Sequence, residues 1–158
     1  MSYIKYTINR KEETMYDPVM IQPFRDELTE VGFKELMTPE EVDTTISNNK
    51  GTLLVVVNSV CGCAAGKARP AIRKALQHVN KPDATVSVFA GQETAATSRL
   101  RERWLQGIPP SSPSIALYKD NELVYFIPRF KIEGRMADEI AAELVSAFDE
   151  FCKDNVAA

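Results

Sequence analysis

Apolar and polar positions along this chain switch between helical and strand spacing, and each switch marks an element. From Met15 to Val31, apolar residues fall at Met15, Val19, Met20, Phe24, Leu28 and Val31, close to the 3.6-residue period. Pro18 and Pro23 interrupt the pattern, so a helix is expected to begin near one of them. In Thr38-Pro39-Glu40-Glu41, Thr38 can cap, Pro39 suits the first helical position and Glu41 completes a capping box. A helix is predicted from there to about Asn48. Gly51 follows, then Thr52-Leu53-Leu54-Val55-Val56-Val57, which predicts a central strand buried on both faces.

Beyond Asn58-Ser59-Val60 comes Cys61-Gly62-Cys63, then a predicted helix from Ala64 to Val79. Its apolar face holds Ala68, Ile72, Ala75, Leu76 and Val79, and Pro70 is expected to kink it. Lys81-Pro82-Asp83 reads as a turn, Thr85 to Ala90 as a second strand, and Glu93 to Leu105 as a helix. The run from Gly107 to Pro113 breaks that helix. Ser114–Tyr118 and Glu122–Ile127 predict two strands joined by a tight antiparallel turn at Asp120-Asn121. A last helix spans about Arg135 to Lys153, with Met136, Ile140, Leu144, Val145, Phe148 and Phe151 or Cys152 as its stripe. Alternating strands and helices imply parallel neighbours with helices on both faces, and the closing hairpin adds antiparallel strands. The expected fold class is α/β, a three-layer sandwich around a mixed sheet.

Composition narrows the function. The chain has 158 residues, 44% hydrophobic and 26% charged, with a formal charge of -3. That balance gives no electrostatic reason to expect nucleic acid or an anionic membrane as partner. The longest apolar run, Leu53 to Val57, is far short of the ~20 residues a membrane span requires. Met1 to Lys11 lacks an apolar stretch before a small-residue cleavage site, so the expected location is the cytoplasm. Three cysteines are too few for a secreted disulfide framework.

Cys61 follows the carboxyl end of a buried strand and precedes a helix. Unpaired N–H groups and the positive dipole end there favour thiolate, the nucleophilic form. Lys67 and Arg69 are expected to add positive potential, and a lowered Cys61 pKa is expected. Gly62, free of side-chain constraint, is expected to help the flanking thiols meet. A Cys61–Cys63 bridge would close a cramped ring, and strained bridges are the labile, oxidising ones. Three other readings stand beside a redox pair. The cysteines could be two buried hydrophobes. They could bind a metal, although a closed zinc site needs four ligands and only Cys152 and His78 remain. They could hold a partner in a non-catalytic binding module. Cys152 and Trp104 sit at helical spacing among core positions, and His78 reads as a surface residue near a helix end. Arg99, Arg101 and Arg103 read as a solvated helix face. They are also candidate contacts for an anionic thiol ligand, as are Arg129 and Arg135.

Four segments complete the pattern: Asn58 to Gly66 around Cys-Gly-Cys, Arg69-Pro70, Pro110-Ser111-Ser112-Pro113-Ser114, and Ile132-Glu133-Gly134-Arg135. On these the chain resembles the bacilliredoxins, bacterial thioredoxin-like proteins with a Cys-Gly-Cys active site, from about Tyr16 to Phe151. The resemblance implies one thioredoxin-like domain over 1–158, with about 1–14 as a loosely held extension. It implies a cis Pro113, with Ser112 beside the active-site sulfur. It also implies removal of bacillithiol caps from oxidatively stressed proteins. Cys61 takes the cap, and Cys63 or a second bacillithiol resolves it, with weak disulfide isomerase activity alongside. No bound cofactor is implied; bacillithiol is a co-substrate, and capped or disulfide-bonded proteins are the partners. Two departures are visible. Val60 stands where many thioredoxins carry Trp, and Arg129-Phe130-Lys131 lacks the histidine that often precedes Ile-Glu-Gly.

Overall fold

The computed structural model describes residues 15–153. The elements run α1 (Pro18–Thr29), β1 (Lys34–Glu35), α2 (Pro39–Asn48), β2 (Thr52–Asn58), α3 (Arg69–Ala75), β3 (Ala84–Phe89), α4 (Thr94–Arg99), β4 (Ser114–Lys119), β5 (Glu122–Ile127), α5 (Phe130–Glu133) and α6 (Ala137–Phe151). A π-helical turn, Ala64–Ala68, leads into α3, and another, Leu100–Trp104, extends α4. The proposed extension at 1–14 lies outside the described residues. Among those described, no helix is long and apolar enough to cross a membrane.

The sheet has the order β1-β3-β2-β4-β5. β1, β3 and β2 run parallel, whereas β4 is antiparallel to both β2 and β5. The apolar run of β2 lies at the centre, and all seven of its residues are buried. Leu54 and Val56 face a core shared with Ile72, Leu144 and Phe148. Leu53, Val55 and Val57 face a second core with Val42, Ile46 and Leu100. Burying each such side chain contributes about 1.5–3 kcal/mol. Alternate side chains of one strand therefore hold both helical layers, as the three-layer expectation requires.

Several local signals act as expected. Asp17 caps α1 through Val19, so this helix starts at Pro18 and Pro23 lies within it. Thr38 Oγ1 accepts from the Glu41 N–H at 3.1 Å, while the Glu41 carboxylate meets the Thr38 hydroxyl at 3.4 Å. Asp120 and Asn121 both have positive φ, 49° and 73°, as a tight turn between β4 and β5 demands.

Other boundaries differ. The helix after the thiols ends at Ala75 instead of Val79, which is 78% exposed. Its π turn and α3 hold five and seven residues, a rise of about 18 Å at 1.5 Å per residue. Past Ala75 the bonding tightens to three-residue spacing, with the Gln77 N–H on Lys74 O and the His78 N–H on Ala75 O, which closes the helix. The kink expected at Pro70 takes the form of the preceding π turn, where Arg69 N–H donates to Ala64 O. Pro70 lacks an N–H, and the widened turn sits directly before it. Met136 leaves the stripe of α6: it is 67% exposed at the helix start, where its N–H donates to Glu139 Oε1. Short β1 and α5 carry no periodic pattern and are not among the expected elements.

Candidate active site

Parallel pairing carries the ends of β2 and β3 to one edge, with Asn58 opposite Phe89. Antiparallel pairing brings the start of β4 to the same edge, with Ser114 opposite Val57. Three segments therefore converge: Ser59 to Cys63 after β2, Ala90-Gly91 after β3, and Ser111 to Pro113 before β4. They border a groove of about 330 Å³ that includes Cys61, Gly91, Arg101, Ser112 and Arg129. The N-terminal approach closes one side. Met15 N–H donates to Gly91 O, and the Gln92 side chain bonds both the N–H and the carbonyl of Tyr16.

Both thiols are free and half-buried. Ser59 Oγ lies 3.2 Å from Cys61 Sγ. The Cys61 carbonyl accepts from the N–H groups of Ala64 and Ala65, so the helical turn starts at the thiol. Burial pushes the Cys61 thiol up. The Ser59 hydroxyl, the N–H groups of Ala64 and Cys63 and the Arg129 guanidinium together outweigh it and hold the thiol below its ordinary value. Cys63 meets the same guanidinium, with Arg129 Nη2 3.9 Å from its sulfur. Gly62 needs no special backbone: its φ lies outside the left-handed region and a Cβ there would touch nothing. With both thiols free, the conformational freedom expected of Gly62 is unused.

The cations sort differently from the expectation. Lys67 turns away, its ammonium donating to the Arg135 carbonyl at 2.5 Å. Arg69 is 1% exposed and lies beneath the thiol loop. It donates to Glu27 (3.1 Å), Asn58 Oδ1 (3.0 Å) and the Ser59 carbonyl (2.8 Å), and stacks on Phe24. Its role is to brace the loop. The cation at the sulfurs is Arg129, one of the five arginines set aside as ligand contacts. It is fixed by Glu133 and by the Ser112 carbonyl, to which Nη1 donates at 3.0 Å. Of the others, Arg101 reaches the groove. Arg99 and Arg103 pair with Asp43, and Arg135 pairs with Glu143. The Ser112–Pro113 bond is cis, as expected, and Pro113 is buried.

Cys152 packs at the end of α6 in the first core, where burial pushes its thiol up. His78 bonds Asp149 at 2.7 Å on the surface. Trp104 is only half-buried; its indole N–H donates to Asp43. Among the described residues no three His, Cys, Asp or Glu side chains are grouped to hold a metal ion.

Known proteins resemble this chain in sequence and in fold. Residues 16–152 match the family described as disulphide isomerase. The chain is 54% identical over 134 residues to a bacilliredoxin of Halalkalibacterium halodurans, covering 85% of this chain and 92% of that one. It is 51% identical over 138 residues to a bacilliredoxin of Koribacter versatilis, covering 87% and 94%. In fold it is similar to oxidised thioredoxin of Plasmodium falciparum, with TM-score 0.53, 17% identity and coverage of 77% and 99%. Oxidised mitochondrial thioredoxin 3 of Saccharomyces cerevisiae gives TM-score 0.53, 16% identity and coverage of 78% and 98%. The fold is therefore thioredoxin-like, and the chain belongs to the bacilliredoxin family of thiol–disulfide oxidoreductases.

Proposed function

We propose that this protein removes bacillithiol from proteins that carry it as a mixed disulfide, with Cys61 as nucleophile. The observation that carries this reading is the Cys61 thiol, half-buried at a helix start and held below its ordinary pKa. Family membership supports it, because the curated relatives are named bacilliredoxins.

Cys61 thiolate attacks the bacillithiol sulfur of the mixed disulfide. A new S–S bond forms between Cys61 and bacillithiol, the old one breaks, and the target thiolate leaves and takes up a proton. Cys63, as thiolate, then attacks the Cys61 sulfur. The Cys61–Cys63 bridge forms and bacillithiol leaves as thiolate. In the alternative exit, a second bacillithiol attacks the bound one, giving bacillithiol disulfide and free Cys61. The first exit leaves a two-electron oxidised protein that an external dithiol must reduce. Arg129, whose Nη2 lies 3.9 Å from the Cys63 sulfur, borders the resolving step. The Ser112 backbone borders the groove where the mixed disulfide lies. The same exchange chemistry supports weak isomerisation of protein disulfides.

The test is incubation with a bacillithiol-capped model protein. Release of the cap, dependent on Cys61, supports the proposal. Absence of release, together with stoichiometric co-purified metal, supports a non-catalytic module that uses Cys61 and Cys63 as ligands.

A further inference from the structure

Arg101 stands apart among the arginines near the groove. Its neighbours Arg99 and Arg103 are both paired with Asp43, at 3.6 and 3.2 Å. Arg129 is paired with Glu133 at 3.2 Å. Among the described residues Arg101 has no carboxylate partner. One hydrogen bond holds it, Nη2 to the Ser111 carbonyl at 3.3 Å, which leaves most of its five donors unused. It is half-buried all the same, and burial pulls its pKa down with no acid to restore it. A half-buried guanidinium without a counter-charge is costly unless an anion reaches it.

The setting specifies where that anion belongs. Arg101 bonds the Ser111 carbonyl and Arg129 bonds the Ser112 carbonyl, so consecutive residues of one loop hold the two guanidiniums. Both border the Cys61 groove, and among the described residues none that lines it is acidic. Its volume, about 330 Å³, is that of a small-molecule site. Gly91 keeps the groove closed on the N-terminal side: a Cβ there would come within 2.9 Å of the Tyr16 ring.

We propose that Arg101 is the specificity residue of this site, binding a carboxylate on the low-molecular-weight thiol that becomes disulfide-bonded to Cys61. This deepens the proposed exchange function and rests on it. Guanidinium–carboxylate bonding in a groove whose described lining holds no acid favours an anionic small thiol over a neutral one.

The experiment compares two caps on one single-cysteine model protein: mercaptosuccinate, which is anionic, and 1-thioglycerol, which is neutral. Cap release is followed by intact mass for the wild type, Arg101→Met and Arg101→Lys. The ratio of the two release rate constants is the readout, since intrinsic differences between the caps cancel between variants. Arg101→Met lowers the mercaptosuccinate-to-thioglycerol ratio about tenfold or more, and Arg101→Lys recovers part of it. In the wild type, added salt lowers the same ratio, a check independent of any substitution. An unchanged ratio in Arg101→Met, or one indifferent to salt, overturns the proposal. Failure of the wild type to release either cap would sink the exchange function itself, and this inference with it. Release of both caps with an unchanged ratio would sink this inference alone.

Discussion

The Ser59 hydroxyl stands 3.2 Å from the Cys61 sulfur, and the carbonyl of the same Ser59 is gripped by Arg69 at 2.8 Å. One residue thus joins the reactive thiol to a buried cation. The Ser59 hydroxyl opposes the burial that would otherwise favour the neutral thiol. Replacing Ser59 by Ala removes that donor and keeps the backbone. Thiolate absorbance at 240 nm should then titrate at higher pH, and exchange near neutrality should slow about three- to tenfold.

The pH dependence has a defined sign. Cys61 ionises below the ordinary thiol value of 9.0 in the folded protein. Exchange therefore rises with pH through a titration below 9.0 and flattens above it. Linkage gives the same window for stability. A depressed folded pKa contributes stability that is fully present above the unfolded pKa and lost as pH falls through the folded one. Under reducing conditions, the urea midpoint of the wild type relative to Cys61→Ser should rise across that window. A difference that stays flat with pH would contradict the lowered pKa.

Arg69→Met leaves the buried Ser59 carbonyl without the Arg69 donor, takes one of two donors from Asn58 Oδ1, which keeps the Ser59 N–H, and removes the stacking on Phe24. The expected cost is about 2–4 kcal/mol of unfolding free energy, measured in urea. Mobility of the Ser59 loop should also move the Cys61 titration up. A loss of stability with an unmoved titration would show that Arg69 supports the fold without bracing the thiol.

Cys152 is 3% exposed and its thiol is pushed up. At pH 7.5 iodoacetamide should label Cys61 before Cys152. Cys152→Ala should cost about 1 kcal/mol and leave exchange at the wild-type rate. Loss of exchange in Cys152→Ala would give this cysteine a redox role.

The legible parts of this molecule were those written in local chemistry. The unbroken apolar run of β2, the Thr38 cap and the Asp120-Asn121 turn each depend on neighbouring residues alone, and each took its expected form. The placement of Cys61 after a buried strand was equally local. Long cationic side chains were not legible, because tertiary partners decide where their charges end. Lys67 and Arg69 lie nearer the thiols in sequence than Arg129, yet one bonds the Arg135 carbonyl and the other turns under the loop. Arg129 reaches the sulfurs because β5 returns the chain to the edge where β2 ends. β1, with two residues, and α5, with four, are too short to show a period.

The central claim is that Cys61, and not Cys63, accepts the cap. Cys61→Ser and Cys63→Ser are each incubated with a bacillithiol-capped model protein, quenched with acid, and mapped by mass spectrometry. The predicted result is a bacillithiol adduct on Cys61 in Cys63→Ser, with the model protein released, and neither adduct nor release in Cys61→Ser. A bacillithiol adduct on Cys63 in Cys61→Ser, with Cys63→Ser inert, would contradict it.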